Sequence, residues 1–294
     1  MLLLAALVWG VAFVAQSEGL NYVGAFTFNT CRFILGGAVL IPCIYFLHGR
    51  KDSAWQTLSE KEKKEQTRMG IIGGICCGCI LCLASCLQQF GIAQTTVGKA
   101  GFITTLYIII VPFMGLFLKR KIGINIWISA VIAAVGMYFL CITESFSIRA
   151  GDRLVLMCSV VFSVHILVID HFSPKADGVV ISCVQFFTAG VIASVLMLLF
   201  EHPSVSAVIA AAAPILYAGV MSCGVGYTLQ VVAQNGVDPT VASLLLSLES
   251  VFSVLAGWML LGQKLSGREL FGCVLVFAAV LLVQIPTEKL FHTA

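Results

Sequence analysis

Long apolar runs separated by short polar breaks divide the chain into ten segments, near 2–16, 22–47, 69–92, 96–118, 125–142, 152–170, 179–200, 211–233, 238–261 and 267–286. A bilayer core about 30 Å thick takes about 20 apolar residues per helix. Most of the runs meet that length, so ten transmembrane helices are expected. The polar positions inside the runs repeat. Trp9-Gly10 corresponds to Phe162-Ser163 at a shift of 153 positions, and the same shift sets Cys31-Arg32-Phe33 on Val184-Gln185-Phe186. Further along the shift is 142, which sets Leu87-Gln88 on Leu229-Gln230 and Thr105-Leu106-Tyr107 on Ser247-Leu248-Glu249. The polar stretch from His48 to Arg68 absorbs the difference. An odd number of spans per repeat gives the two copies opposite orientations in the membrane. Many secondary transporters use this arrangement to build one site that can open to either side. The expected architecture is therefore all-α and polytopic. One five-helix repeat occupies 1–142 and an inverted second one 152–286, around a central cavity, with 48–68 as a cytoplasmic loop.

Composition narrows the class further. Of 294 residues, 60% are hydrophobic and 11% charged, with a mean hydropathy of +1.03. A soluble globular chain carries roughly 25% charged residues, so this chain is not built to face water. The lipid bilayer is its first partner. Lys and Arg set the expected orientation. With the N-terminus inside, the inner loops and tail hold Arg50, Lys51, Lys61, Lys63, Lys64, Arg68, Lys119, Arg120, Lys121, Lys175 and Lys289. The outer side holds Arg149, Arg153, Lys264 and Arg268. The positive-inside bias then puts both termini in the cytoplasm. The net charge of +3 has the same origin, and no loop is long enough for a nucleic-acid-binding module. The first run lacks the basic leader of a signal peptide and reads as a retained helix.

The polar groups within the runs carry the candidate chemistry. Ionisable residues at membrane depth are costly and usually face a partner or a water-filled cavity. Glu249 lies about eleven residues into the ninth run, roughly 16 Å deep at 1.5 Å per residue. Its repeat mate Tyr107 lies equally far into the fourth run, entered from the other side. Such a pair is expected to line a central site, where Glu249 could exchange a proton as the cavity alternates between dry and wet. The bland alternative is a structural hydrogen bond between helices. Arg32 is as deep in the second run, where it could hold a substrate carboxylate or tie Glu249 or helix carbonyls together. Lys99 opens the fourth run near the outer mouth, where it could snorkel or attract an anion. His165 reads as a packed histidine or, less simply, a proton carrier. Pro112 interrupts the fourth run, as a hinge or a plain bend.

Cys76, Cys77, Cys79, Cys82 and Cys86 crowd the third run, which superficially offers soft ligands. Gly70, Gly74 and Gly78 form a ladder in the same run, the pattern that lets two helices approach closely. The thiols are read as small residues at that contact. Neither a metal site nor a cofactor is expected.

Several stretches resemble EamA-type permeases of the drug/metabolite transporter superfamily. Thr96 to Tyr107, followed by Val111-Pro112, resembles their fourth span. Trp9-Gly10-Val11-Ala12-Phe13 is similar to their first-helix signature. Leu246 to Phe252, then Gly257-Trp258 and Leu261-Gly262, resembles the ninth. Gly151-Asp152 with His165, and Tyr227-Thr228-Leu229-Gln230, also fit. The resemblance covers the chain and implies ten helices in two inverted repeats. It further implies that helices one, three, four, six, eight and nine surround the cavity, and that small metabolites, often amino acids, are carried outward. Gln263 departs from the pattern, since relatives of this kind carry Glu after that Leu-Gly.

The function expected is secondary transport of small polar or amphipathic metabolites by alternating access in the plasma membrane of a prokaryote, with protons as a candidate coupling ion. The cavity-lining set is Trp9, Gln88, Gln89, Tyr107, His165, Tyr227, Gln230 and Glu249, with Arg32, Lys99 and Pro112 as gating or charge-pairing residues. Aromatic walls would come from Trp9, Tyr107 and Tyr227, and paired donors and acceptors from the three glutamines. The rival class is a membrane-embedded enzyme or a non-transporting receptor. An enzyme needs acid, base or metal groups gathered near one interface, and the loops gather none.

Overall fold

In the computed structural model the described residues are all but 51–53, 96, 121, 142–148, 262–265 and 284–294, and every regular element among them is helical. The chain begins with α1 (Leu2–Gly19), α2 (Ala25–Gly49), a single turn α3 (Ala54–Thr57) and the long α4 (Glu60–Ile92). One span is then divided into α5 (Val97–Thr104) and α6 (Tyr107–Phe117), before α7 (Ile124–Cys141). There follow α8 (Ala150–Phe172), α9 (Gly178–Phe200) and the short α10 (Val205–Ala210). The next span joins α11 (Ala212–Leu216), a π-helical stretch Tyr217–Tyr227 and α12 (Thr228–Gln234). A second divided span, α13 (Pro239–Leu246) and α14 (Leu248–Leu261), precedes α15 (Gly267–Val283).

Among the described residues, eight helical stretches are long and apolar enough to cross a membrane, and Ile124–Phe139 is a shorter apolar helix. The expected spans 125–142 and 267–286 both run into residues outside the described ones, and α15 has 17 residues. Residues 60–68, part of the stretch 48–68 expected as a loop, form the first turns of α4. Ser59 starts that helix with a capping box: the Glu62 N–H donates to Ser59 Oγ (3.3 Å), and the Ser59 N–H donates to Glu62 Oε2 (2.8 Å). With that cap in place, Glu and Lys are good helix formers and extend the helix beyond its apolar part.

Apolar and polar residues are distributed as a lipid solvent requires. Phe117, Val191, Leu198 and Val274 point outward, while Gln16, Arg32, Gln89, His165, Gln185 and Glu249 are buried. Lipid offers no hydrogen bonds, so polar groups turn inward where partners or water can be found. The helices pack chiefly as α7 on α15, α2 on α9, α4 on α8 and α9, and α1 on α14. The glycine ladder lies at the α4–α9 contact. A Cβ at Gly74 would stand 2.5 Å from Val184 Cβ, and one at Gly78 would stand 2.6 Å from the Gln185 carbonyl oxygen. Only a residue without a side chain permits that approach. The neighbouring cysteines are split around α4: Cys76 and Cys79 are exposed, whereas Cys77, Cys82 and Cys86 are buried.

Contacts between connections fall at two ends of the bundle. At one end the Glu201 carboxylate, just after α9, accepts from the N–H groups of Phe26 (2.9 Å) and Thr27 (2.8 Å) and so caps α2. Thr95 donates to Asp152 at that end as well. At the other end His48 contacts Asp177 (2.9 Å), and Arg120 pairs with Asp170. Asp177 also caps α9 through its other oxygen, accepting from the Val179 N–H at 2.7 Å.

Candidate functional site

Both divided spans break at equivalent positions, and the breaks place the two deepest polar groups face to face. Thr105 Oγ1 donates back to the carbonyls of Gly101 (2.9 Å) and Phe102 (3.0 Å), and Ser247 Oγ donates back to Leu244 (2.7 Å). A hydroxyl bonded to its own preceding turn competes with the regular helical ladder. The backbone responds with a tighter step, from the Ile108 N–H to Thr105 O (3.1 Å) and from the Ser250 N–H to Ser247 O (3.1 Å). Helix α6 therefore begins with Tyr107 and α14 begins with Leu248-Glu249. Tyr107 Oη donates to Glu249 Oε1 at 3.0 Å. A hydrogen bond to an ionised group contributes about 1.5–3 kcal/mol. The other carboxylate oxygen has no hydrogen-bond partner among the described residues. A carboxylate in the first turn of a helix is also on the favourable side of the helix dipole.

This pair borders a central cavity of about 40 Å³, room for about three waters. Trp9, Tyr227, His165 and Phe162 supply its aromatic wall, and Gln88, Gln230, Thr104 and Ser222 its neutral polar groups. Trp9 is seated by α1 against the π-helical stretch. Its Nε1–H donates to Ser222 O (3.3 Å), and its ring lies 4.5 Å from that of Tyr227. A Cβ at Gly226 would stand 2.6 Å from Trp9 Nε1, so the indole fits only over a glycine there. His165 Nε2 contacts Gln185 Oε1 (3.2 Å), and Nδ1 has no partner. Gln88 donates to Thr104 Oγ1 (3.4 Å), and Gln230 Oε1 is unpartnered.

Arg32 also lines the cavity and is 3% exposed. Nη1 donates to Gln16 Oε1 (3.0 Å), and the guanidinium lies over the rings of Phe33 (4.9 Å) and Phe28 (5.7 Å). No ion pair joins Arg32 to Glu249 among the described residues. The two groups sit in one cavity without neutralising each other.

Trp9, Gln88, Tyr107, His165, Tyr227, Gln230 and Glu249 are thus brought together as a lining. Gln89 is not part of it. Consecutive helical residues point about 100° apart, so with Gln88 facing the cavity, Gln89 turns to α1 and donates to Gln16 O (3.2 Å). Pro112 is buried within α6 away from the cavity. The side chain of Lys99 and the whole of Gln263 lie outside what the structure describes. Gln16, Thr104 and Ser222 line the site without having been singled out. Gln16 closes the first apolar run and reads as its boundary, while Thr104 and Ser222 sit among small residues with nothing to set them apart.

A polytopic helical bundle with apolar sides and a polar central cavity is the build of an integral membrane transport protein. The chain belongs to the EamA-like transporter family, whose model matches residues 1–142 and 149–285. An "Uncharacterized transporter" of Archaeoglobus fulgidus is 29% identical over 285 residues, covering 97% of this chain and 84% of that protein. A solved structure titled "Crystal structure of protein" superposes with a TM-score of 0.72 at 18% identity, covering 98% of each chain, and shares the fold. The protein is a multi-pass membrane transporter. Family and relative point away from the enzyme reading.

Proposed function

We propose that the protein is a secondary transporter of small polar or amphipathic metabolites, amino-acid-like compounds foremost, working by alternating access. In this reading it exports its substrate across the plasma membrane of a prokaryote, with protons as the coupling ion and both termini in the cytoplasm. Ten spans in two inverted five-helix repeats, 1–142 and 152–286, carry the motion. The observation that carries the reading is the Tyr107–Glu249 hydrogen bond. It joins residues 142 positions apart, the shift that aligns the two halves, at helix breaks that match step for step. Interrupted helices meeting at the centre of related halves are the common construction of a transporter site. The pairing of α2 with α9 and of α7 with α15 supports the same reading, since each joins a helix to its mate.

A space of about 40 Å³ between the lining side chains is small for a metabolite, so in this reading the helices part to admit one. Counterflow in proteoliposomes tests this. Liposomes preloaded with an unlabelled substrate should accumulate the labelled one transiently, with saturable kinetics. Tyr107→Ala and Gln230→Ala should lower that flux at least about tenfold while reconstituting normally, as expected for groups that contact substrate. Flux that never saturates, or variants with unaltered kinetics, would remove these helices from the transport path.

A further inference from the structure

Among the described residues that line the cavity, Arg32 is the cation, and most of its donors are unused. A guanidinium carries five N–H donors and cannot be deprotonated. Here Gln16 Oε1 takes a bond from Nη1 and is its only hydrogen-bond partner among the described residues; Nε is buried with no partner. No carboxylate of the described residues lies within ion-pair distance. Buried charges in proteins are normally paired, because desolvating an ion without a counter-charge is costly. Two aromatic faces, Phe33 and Phe28, partly compensate the charge and hold the plane of the group fixed. The backbone carbonyl of Gln16 in turn accepts from Gln89 Nε2 (3.2 Å), which ties α4 to α1 beside the pair. The result is a buried cation lining the cavity, with spare donors in the planar fork that fits a carboxylate.

From this we infer that Arg32 receives a carboxylate of the transported molecule, so that the site selects acids over their neutral amides. This inference rests on the reading of the cavity as a transport site. It replaces the structural role for Arg32 that a buried arginine usually has.

The test uses the full chain and three probe pairs: L-phenylalanine, L-leucine and L-serine, each beside its carboxamide. Binding is read as the rise in melting temperature in detergent, and transport as counterflow in proteoliposomes. In the wild type at least one free acid should bind and be carried, with its carboxamide weaker by about 100-fold or more, since a site with buried donors rejects an analogue that leaves them unmet. In Arg32→Gln the ratio of acid to amide affinity should collapse toward one, and Arg32→Lys should give an intermediate ratio. Equal binding of acid and amide to the wild type would overturn the inference, as would an undiminished acid preference in Arg32→Gln. If Arg32→Gln fails to fold, the wild-type ratio and the lysine variant decide. Saturable counterflow of an uncharged sugar or amine, with none of the three acids bound, would sink the role of Arg32 and leave the transporter reading standing. Absence of saturable flux for every solute would sink that reading instead.

Discussion

At the scale of single residues, the proposed coupling to protons turns on Glu249. A carboxylate deep in the bundle was expected either to exchange a proton or to be held permanently by Arg32. The geometry separates these accounts: Arg32 is bonded to Gln16, and Glu249 to Tyr107. Glu249→Gln keeps the shape of the side chain and an oxygen that can still accept from Tyr107 Oη. It should therefore fold, with stability within about 1–2 kcal/mol of wild type, the ordinary range for a substitution that leaves no buried group newly unpaired. Its transport should no longer respond to an imposed pH gradient, while exchange of substrate persists. An unfolded Glu249→Gln protein would restore the strut account, and a stable one with unchanged pH dependence would take Glu249 out of the mechanism. Much of the lining was legible at this scale because lone polar residues in apolar runs have few reasons to be there. Gln89 was misplaced because the turn of α4 that faces Gln88 to the cavity carries Gln89 round to α1, where it bonds the Gln16 carbonyl. Gln16 was passed over because it ends a run, where polarity is unremarkable.

At the scale of elements, the apolar runs located the spans well and their internal breaks poorly. Hydrophobic length reports where the chain can cross lipid, yet it is blind to a tightened turn in the middle of a span. At the breaks after Thr104 and Leu246, Thr105 and Ser247 bond back to their own helix, but Ser182 and Ser194 do the same within unbroken α9, so such a residue does not mark a break in the sequence. Pro112, the conspicuous breaker in the fourth span, lies within α6, past the break. The π-helical stretch Tyr217–Tyr227 was likewise invisible to periodicity, although such stretches cluster at functional sites. The glycine ladder of α4 was readable because small residues four apart have a direct packing consequence. Its weight can be measured. Gly78→Leu would drive a side chain into the Gln185 carbonyl, which cannot move aside without bending α9, whereas a Cβ at Gly101 meets nothing within 4 Å. Gly78→Leu should lose about 1–3 kcal/mol or more of stability, read as a lower melting temperature in detergent, and Gly101→Ala should lose none. Equal tolerance of both would mean that α4 and α9 are not held at the distance seen here.

At the scale of the whole molecule, orientation in the membrane follows from charge and from which connections meet. Contacts among connections sort the chain into two ends. One gathers Phe26, Thr27, Thr95, Asp152 and Glu201; the other gathers His48, Arg120, Asp170 and Asp177. Successive spans must then alternate in direction, with 24–27, 95 and 201 on one side of the bilayer and 48, 120 and 177 on the other. Basic residues fall on the second end, at Arg50, Lys61, Lys63, Lys64, Arg68, Lys119, Arg120 and Lys175, and on the positive-inside bias we propose this end as the cytoplasmic one. The two exposed positions Glu65, on the polar extension of α4, and His202, after α9, belong to opposite ends. In a variant depleted of its own cysteines, Glu65→Cys should react with a membrane-impermeant maleimide only from the cytoplasmic side, in inverted vesicles. His202→Cys should react only from outside, in intact cells. Labelling of both from the same side would break the alternation of spans, and with it the inverted arrangement that lets Tyr107 and Glu249 meet from opposite directions. Opposite labelling with the sides exchanged would keep the fold and the central site but overturn the proposed cytoplasmic placement of the termini.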